Sequence, residues 1–224
     1  MGLTDIIQSH FVNATAQLAA FTPIYALFET TLGNYPDKAS LSARGLTAVT
    51  LFAGGGYLVA RARERFSAWS SKHRLTKNMS AGTRDSMLYG GAHFPTGYAL
   101  YYGGYLIVNP LLNLFGLPAL GDHEKRNFLD ITYTVVASFP VSVFAGYIAG
   151  QAMDTYQHLA GMHESKRMPK RIKEFVKDKA NRLVFAASTL AMATGVTIAA
   201  YKYIPESWKF DFISYVKTII TGAP

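Results

Sequence analysis

Three ionisable side chains lie inside or beside long apolar stretches of the chain. They are Glu29, His93 and Asp154. A charged side chain at the centre of a bilayer costs about 2.5 to 3.5 kcal/mol even on insertion scales, so such groups are retained mainly where they have a function. Carboxyl and imidazole groups shielded from water can take and release protons, which favours proton-coupled transport. Solvation of the two carboxylates by lipid headgroups, and a hydrogen bond from the histidine to a backbone carbonyl, are the alternatives.

His93 begins a row of residues spaced four apart, which is completed by Gly97, Tyr101 and Tyr105. On a helix this spacing places all four on one face. His93 can therefore point into a helical bundle with tyrosine hydroxyls on the same side.

Other site chemistries find little support in the sequence. The chain contains no cysteine, which excludes disulfides, zinc ribbons, iron–sulfur clusters and thiol nucleophiles. Four further histidines, His73, His123, His158 and His163, occur singly, without paired carboxylates at metal-binding spacing. We therefore expect no enzyme activity, no metal and no cofactor.

The elements that must position these residues are membrane helices. Half of the 224 residues are apolar and 16% are charged, against roughly 25% charged in a typical soluble domain. Residues 45–60, 86–113, 131–153 and 183–201 carry no Lys, Arg, Asp or Glu, and residues 11–32 carry only Glu29. At 1.5 Å per residue these runs measure about 24 to 42 Å, which brackets a bilayer core of roughly 30 Å. The sequence predicts an all-α, polytopic integral membrane bundle with about five transmembrane helices; a soluble bundle, with charge every three or four residues, is the alternative.

Basic residues predict the orientation of these spans. Of the 22 Lys and Arg, 15 lie in residues 61–84 and 155–182. Because Lys and Arg are enriched in cytoplasmic loops, we expect a cytoplasmic N-terminus and a C-terminus outside.

The same basic segments predict a partner. They flank membrane spans and lack the stacked aromatics or helix-turn-helix spacing of nucleic-acid-binding proteins. We therefore expect anionic lipid headgroups at residues 61–84 and 166–182 and no nucleic acid. Apolar residues at helical spacing within 166–182 favour an amphipathic interfacial helix, with a solvated basic loop as the alternative. The aromatic tail from Trp208 predicts a second interfacial helix, on the outer face.

Small residues and prolines indicate where the predicted helices touch or bend. Glycine lets helix backbones approach closely, and the candidate packing positions are Gly54 and Gly55 in the second span, Gly90 and Gly97 in the third, and Gly146 and Gly150 in the fourth. We expect the third and fourth spans to be in close contact. Prolines should distort three spans, at Pro23, Pro95 and Pro140, and unwound backbone contributes to substrate sites in many transporters.

Scattered positions over about residues 13–161 resemble a known family. The stretch 23–29 (PIYALFE) is followed by Ser42–Arg44, Gly55–Tyr57, the pair Arg84 and Asp85, and residues 146–156. In this order they resemble the L-alanine exporter family of small bacterial membrane proteins. The resemblance implies a four-helix unit in the cytoplasmic (inner) membrane that expels a small neutral amino acid, driven by the proton gradient.

Carried over to this sequence, the resemblance implies functional roles for Glu29, Arg44, Asp85, Pro95 and Asp154. Arg44 and Asp85 lie at span ends, where snorkelling or helix capping is the alternative role. The ammonium of a zwitterionic substrate is expected near Glu29 or Asp154. Its carboxylate is expected near backbone amides around Pro95.

The chain continues past the resemblance. Residues 1–161 form the predicted four-span exporter-like bundle, and residues 162–224 add a basic linker helix, a fifth span and the aromatic tail helix. Four or five spans are few for enclosing a substrate path, so we expect a homo-oligomer with alternating access at its interface. The competing hypothesis is a non-catalytic scaffold or accessory subunit. Convergence of Glu29, His93 and Asp154 on one polar cavity would favour the transporter.

Overall fold

The computed structural model describes residues 2–32, 37–103, 109–114 and 128–222. All regular structure in these ranges is helical, which confirms the all-α prediction. In chain order the helices are α1 (Leu3–Thr31), α2 (Asp37–Thr50), α3 (Gly56–Lys72), α4 (Ala81–Gly103), α5 (Asn109–Leu114), α6 (Phe128–Leu159), α7 (Lys170–Phe175), α8 (Lys179–Tyr203) and α9 (Phe212–Thr221). A π-helical segment, Leu51–Gly55, joins α2 to α3, and a 3₁₀ turn covers Glu206–Trp208.

Helices α1 and α6 form the centre of a bundle. Helix α6 packs along α4 and α1, and α1 also contacts α3 and α8. At one end Gln8 Nε2 donates to the carbonyl of Ala160 (3.3 Å), and at the other Phe210 N donates to the carbonyl of Thr31 (2.6 Å). We call the end with Gln8 and Ala160 the basic end, because residues 61–84 and 160–182 meet there. We call the end with Thr31 and Phe210 the opposite end.

Three helices within the described residues are long and apolar enough to cross a membrane. They are α1, residues Val135–Leu159 of α6, and α8. The five predicted spans are not confirmed. The second predicted span is divided by the π segment, and its flanking helices α2 and α3 both carry charged residues. The third coincides with α4, which is rich in glycine and in hydroxyl-bearing residues and is correspondingly less apolar.

Several polar side chains face the interior of this bundle, and many large apolar ones face outward. Asn13 and Gln17 of α1 are fully buried, and Gln157 Nε2 of α6 donates to Asn13 Oδ1 (2.7 Å). By contrast, Leu183 and Met192 on α8 are each 67% exposed. A soluble helix turns its apolar stripe to the core, whereas membrane helices hydrogen-bond inward and present apolar surface to lipid. The distribution fits a multi-pass membrane protein.

Glycine allows α4 and α6 to approach closely. A Cβ built on Gly146 would lie 2.6 Å from Cβ of Tyr89, and one on Gly150 would lie 1.9 Å from Oδ2 of Asp85. Gly90 faces α6 from the other side of the same interface, and a Cβ built on it would lie 3.0 Å from Cγ2 of Val143. These three glycines lie where the spacing predicts contact between the helices.

Gly54 and Gly55 permit the backbone conformation of the π-helical segment and do not lie at a contact between two helices. Gly54 has a φ of 135°, which strongly favours glycine, and a Cβ there would meet nothing within 4 Å. A Cβ on Gly55 would lie 2.8 Å from the carbonyl oxygen of Thr50 in the preceding turn. The close approach to α1 belongs to Gly56, whose Cβ would lie 2.8 Å from that of Ala14.

The basic segment 166–182 does not form one amphipathic helix; it contains one short helix and the start of α8, which fits the alternative of a basic loop with a helical stretch. Gly161, with a φ of 74°, ends α6, and a turn leads through Pro169 into the six-residue α7. The Asp178 carboxylate accepts a hydrogen bond from the backbone N–H of Ala180 (2.8 Å) and so starts α8. A helix end and a new N-cap therefore interrupt the predicted periodicity.

The tail forms a short helix, α9, that packs against α6. Tyr215 and Ile219 are 52% and 64% exposed and lie on the same face, four residues apart. Trp208 precedes this helix, in the 3₁₀ turn. The predicted stripe is therefore helical only from residue 212 onward.

Candidate functional site

Glu29 is fully buried near the opposite end of the bundle, paired with an arginine. Its Oε1 accepts a hydrogen bond from Arg44 Nη2 at 2.7 Å, and the Arg44 side chain is 10% exposed. The Ser40 hydroxyl donates to Glu29 Oε2. Ser40 and Arg44 lie four residues apart, on one face of α2. This face of α2 lies against the end of α1.

Aromatic residues enclose the pair. The Arg44 guanidinium lies over the ring of Tyr25, 4.9 Å from its centroid, and Tyr25 precedes Glu29 by one helical turn. On the other side the Tyr201 hydroxyl of α8 is 2.6 Å from the Ser40 hydroxyl. Helices α1, α2 and α8 therefore all contribute to the surroundings of one buried carboxylate.

His93 is connected through the Ser142 hydroxyl to Tyr25, whose ring contacts Arg44 of this pair. Its Nε2 lies 2.6 Å from the carbonyl oxygen of Val135, which can only accept, so Nε2 carries the proton in the neutral ring. Nδ1 then accepts from the Ser142 hydroxyl, and the Tyr25 hydroxyl donates to Ser142. We call Glu29, Arg44, Tyr25, Ser142 and His93 the polar chain.

The polar chain crosses four helices. Glu29 and Tyr25 lie on α1, Arg44 on α2, His93 on α4 and Ser142 on α6. Its links are an ion pair, a cation–π contact and two hydrogen bonds in sequence. Such a series can rearrange its hydrogen bonds when a proton is added or removed.

Asp154 does not join the polar chain. It lies towards the basic end, where His163 Nε2 is 2.9 Å from Oδ1 and the Ser165 hydroxyl donates to Oδ2. Ser165 Oγ also accepts a hydrogen bond from the backbone N–H of Met168 (3.0 Å). Asp154 therefore holds the turn after α6. Convergence of Glu29, His93 and Asp154 on one cavity, which would favour the transporter, is not seen among the described residues.

Asp85 is the second buried carboxylate with arginine partners. Arg63 Nε lies 2.6 Å from Oδ1, and Arg167 Nη2 lies 2.5 Å from Oδ2. The Asp85 side chain is 4% exposed, and Gly150 of α6 makes room for it. One carboxylate thus joins α3, α4 and the turn after α6 at the basic end.

Of three predicted positions on α4, one differs from expectation and two lie outside the described side chains. Helix α4 continues through Pro95, and the Thr96 hydroxyl beside it donates to the carbonyl of Ala92 (2.7 Å). The expected unwound amides at Pro95 are absent from the described helix, so they cannot hold a substrate carboxylate. The surroundings of Gly97 and Tyr101 lie outside the described residues.

Several residues at these sites were not predicted. Tyr25, Ser40, Ser142, Arg63 and Arg167 each bond a predicted residue directly or through one hydroxyl. Spacing of four residues, as between Tyr25 and Glu29, is a signal that the sequence does contain. The arginine partners of Asp85 carry no such local signal.

A scan against protein-family models, a search of curated proteins and a search of solved structures each found no match. Among the described residues, no three His, Asp or Glu side chains are grouped to hold a metal ion. Function must therefore be inferred from the arrangement of the side chains in this chain.

Proposed function

We propose that this protein is an integral membrane transporter that exports a small neutral amino acid such as L-alanine, coupled to protons. The observation that carries the proposal is the buried pair of Glu29 and Arg44, linked through Tyr25 and Ser142 to His93. The order of residues that resembles the L-alanine exporter family supports the same substrate class.

A buried ion pair contributes little net stability to a folded protein. Desolvating two charges can cost more than their attraction returns, and well-packed apolar side chains often serve a static core as well or better. In a membrane bundle such charges characteristically mark transport pathways. The burial of Glu29 and Arg44 therefore favours a role in transport over a purely structural one.

The same two charges match a zwitterionic amino acid. Its carboxylate can replace Glu29 on the Arg44 guanidinium, with bidentate geometry, and its ammonium can replace Arg44 on the Glu29 carboxylate. Arg44 thus takes the role first expected of the backbone around Pro95. Because Glu29 is fully buried, the hairpin of α1 and α2 must open for this exchange.

Protonation supplies the coupling. A proton on Glu29 removes its charge and releases Arg44 for the substrate carboxylate. Loss of that proton then lets the Glu29 carboxylate bind the substrate ammonium, and departure of the substrate restores the closed pair. His93, at the far end of the polar chain, offers a second proton-accepting group besides Glu29, at its Nδ1 nitrogen. The Ser142 and Tyr25 hydroxyls, which can both donate and accept, extend from His93 as far as Tyr25. The Tyr25 ring then contacts Arg44 of the pair.

The proposal includes five spans in the cytoplasmic membrane. Helices α3 and α4 pack in the same bundle as the three apolar helices, and the basic end meets the expectation for the cytoplasmic side. In the proposed topology the N-terminus lies inside and the C-terminus outside. A small bundle of this kind is proposed to act as a homo-oligomer, with anionic lipids at its basic segments.

The competing function is a membrane scaffold without transport. It is favoured by Asp154, whose bonds to His163 and Ser165 serve the turn after α6. A scaffold would need Glu29 only for packing.

The test is efflux of labelled L-alanine from preloaded proteoliposomes, with and without an imposed proton gradient. We expect gradient-dependent efflux from the wild type and its loss in Glu29→Gln. Glu64→Gln is the matched control, because Glu64 is an exposed carboxylate on α3 and efflux should persist. Asp154→Asn should also retain efflux, provided that the variant is folded by circular dichroism.

Two results would contradict the proposal. Folded wild-type protein that releases no labelled alanine under either condition would leave the scaffold as the better function. Undiminished, gradient-dependent efflux in folded Glu29→Gln would show that transport does not use the polar chain.

A further inference from the structure

We propose that a cavity at the basic end binds the phosphate of an anionic phospholipid headgroup through Arg63, Arg84 and Arg167. The cavity has a volume of about 430 Å³ and lies between α3, the start of α4 and the turn after α6. The inference is independent of transport, because a scaffold could hold a lipid equally well.

Positive charge predominates in the lining. Three guanidinium groups face two carboxylates, and one of these, Glu64, is paired with Arg61 (3.2 Å) on the same helix. Asp85 alone cannot neutralise the three arginines. The excess suits a phosphodiester, which carries one negative charge and several acceptor oxygens.

Arg84 supplies a donor that needs an acceptor. Its Nη2 donates to the carbonyl oxygen of Lys77 (3.0 Å), but its Nε is buried without a hydrogen-bond partner among the described residues. A buried donor left unpaired is costly, more so when it belongs to a charged group. A phosphate oxygen in the cavity would satisfy it, and arginine is well suited to planar, bidentate recognition of phosphate.

The neighbouring aromatic row indicates a lipid and not a soluble phosphate. Phe66 lines the cavity, and its ring centroid lies 5.7 Å from that of Trp69, which in turn lies 5.1 Å from the ring centroid of His73. Trp69 is 54% exposed. Exposed tryptophan beside basic residues is typical of the headgroup level of a bilayer. The cavity therefore opens where a phospholipid headgroup would lie.

The experiment measures binding to the purified full chain in neutral detergent by native mass spectrometry. The probes are phosphatidylglycerol, phosphatidylcholine of the same acyl composition, and glycerol phosphate. We expect saturable binding of one phosphatidylglycerol, with markedly weaker binding of the other two. Weak binding of phosphatidylcholine is expected because its quaternary ammonium is repelled by the same arginines.

Two variants and one control locate the site. Arg84→Gln removes one charge-assisted contact and should weaken phosphatidylglycerol binding about tenfold. Ser71→Glu adds a negative charge to the lining without touching an ion pair, and should weaken it comparably. Arg74→Gln makes the same change of charge as Arg84→Gln at an exposed position outside the cavity, and should leave the affinity unchanged.

Three outcomes would overturn the proposal. Equal affinity for phosphatidylglycerol and phosphatidylcholine would show that the phosphate is not recognised as an anion. Equal losses in Arg84→Gln and Arg74→Gln would indicate diffuse attraction to the basic segments. Equally tight binding of glycerol phosphate would assign the cavity to a soluble phosphate ester.

Discussion

Replacing Gly150 by alanine probes the closest approach between α4 and α6. The added Cβ would lie 1.9 Å from Oδ2, 2.3 Å from Cγ and 2.8 Å from Cβ of Asp85. Ordinary van der Waals contact begins at 3.4 Å. Both the carboxylate and the backbone of α4 must therefore shift to admit one methyl group.

The carboxylate has little freedom to move, because its two oxygens hold Arg63 at 2.6 Å and Arg167 at 2.5 Å. Overpacking costs about 1–3 kcal/mol, and breaking a buried ion pair costs about 3–5 kcal/mol. Within a helix, alanine is more stabilising than glycine by about 0.5–1 kcal/mol. With the ion pairs only partly lost, Gly150→Ala should lower the free energy of unfolding by about 3 kcal/mol.

The assay is reversible unfolding in mixed detergent micelles, followed by circular dichroism. Gly91→Ala is the matched control, because a Cβ there meets nothing within 4 Å, and it should raise stability by about 0.5–1 kcal/mol. In an Asp85→Ala background the penalty at Gly150 should shrink, since the clashing carboxylate is gone. If Gly150→Ala proves as stable as Gly91→Ala, Asp85 does not lie against Gly150 and the α4–α6 contact is wrong.

Three further predictions concern other parts of the chain. Arg44→Gln should lower the free energy of unfolding by about 3–5 kcal/mol, because Glu29 is left buried without its cation, and adding Glu29→Gln should restore part of the loss in the same micelle assay. Gly54→Ala should cost about 1–3 kcal/mol, because alanine must adopt a φ of 135°. The hydrogen bond from Lys173 (2.9 Å) lowers the pKa of Glu164, so Lys173→Gln should raise that pKa, measured by carboxyl chemical shift in an NMR titration.

Each of these has a control or a contrary outcome. Additive losses in the double variant of Glu29 and Arg44 would show that the two side chains do not interact. Gly45→Ala is the counterpart of Gly54→Ala, since a Cβ at either position meets nothing within 4 Å, and it should stabilise. Because the pKa of Glu164 is lowered in the folded protein, its contribution to the free energy of unfolding is present at pH values above that pKa. This contribution is lost as the pH falls through it. Because Glu164 is exposed, stability should hardly respond, and an unchanged pKa in Lys173→Gln would contradict the pairing.

Local periodicity made part of the structure predictable. Gly146 and Gly150 are spaced one helical turn apart, and this spacing alone indicates a face that a neighbouring helix can approach. The concentration of Lys and Arg in two segments likewise anticipates that both lie at one end, since antiparallel helices alternate ends. Such features depend on residues close in sequence.

Tertiary partners could not be predicted in the same way. Asp85 bonds Arg63 and Arg167, and nothing near either arginine identifies it among many basic residues. Asp154 and Glu29 both occur beside long apolar stretches in the sequence. In the structure Asp154 holds the turn after α6, whereas Glu29 lies inside the bundle. Pro95 does not end α4, although an isolated helix containing it would be kinked or broken.

The partners of Asp85 also have consequences for the order in which the chain is made. Arg63 precedes Asp85 by 22 residues, whereas Arg167 follows it by 82. At a synthesis rate of about 5–20 residues per second, Arg167 emerges roughly 4 to 16 s after Asp85. Throughout that delay the hairpin of α3 and α4 already contains one cation for the carboxylate. Asp85 can thus form a neutral pair with Arg63 first, and the later arrival of Arg167 attaches the turn after α6 to a hairpin already in place.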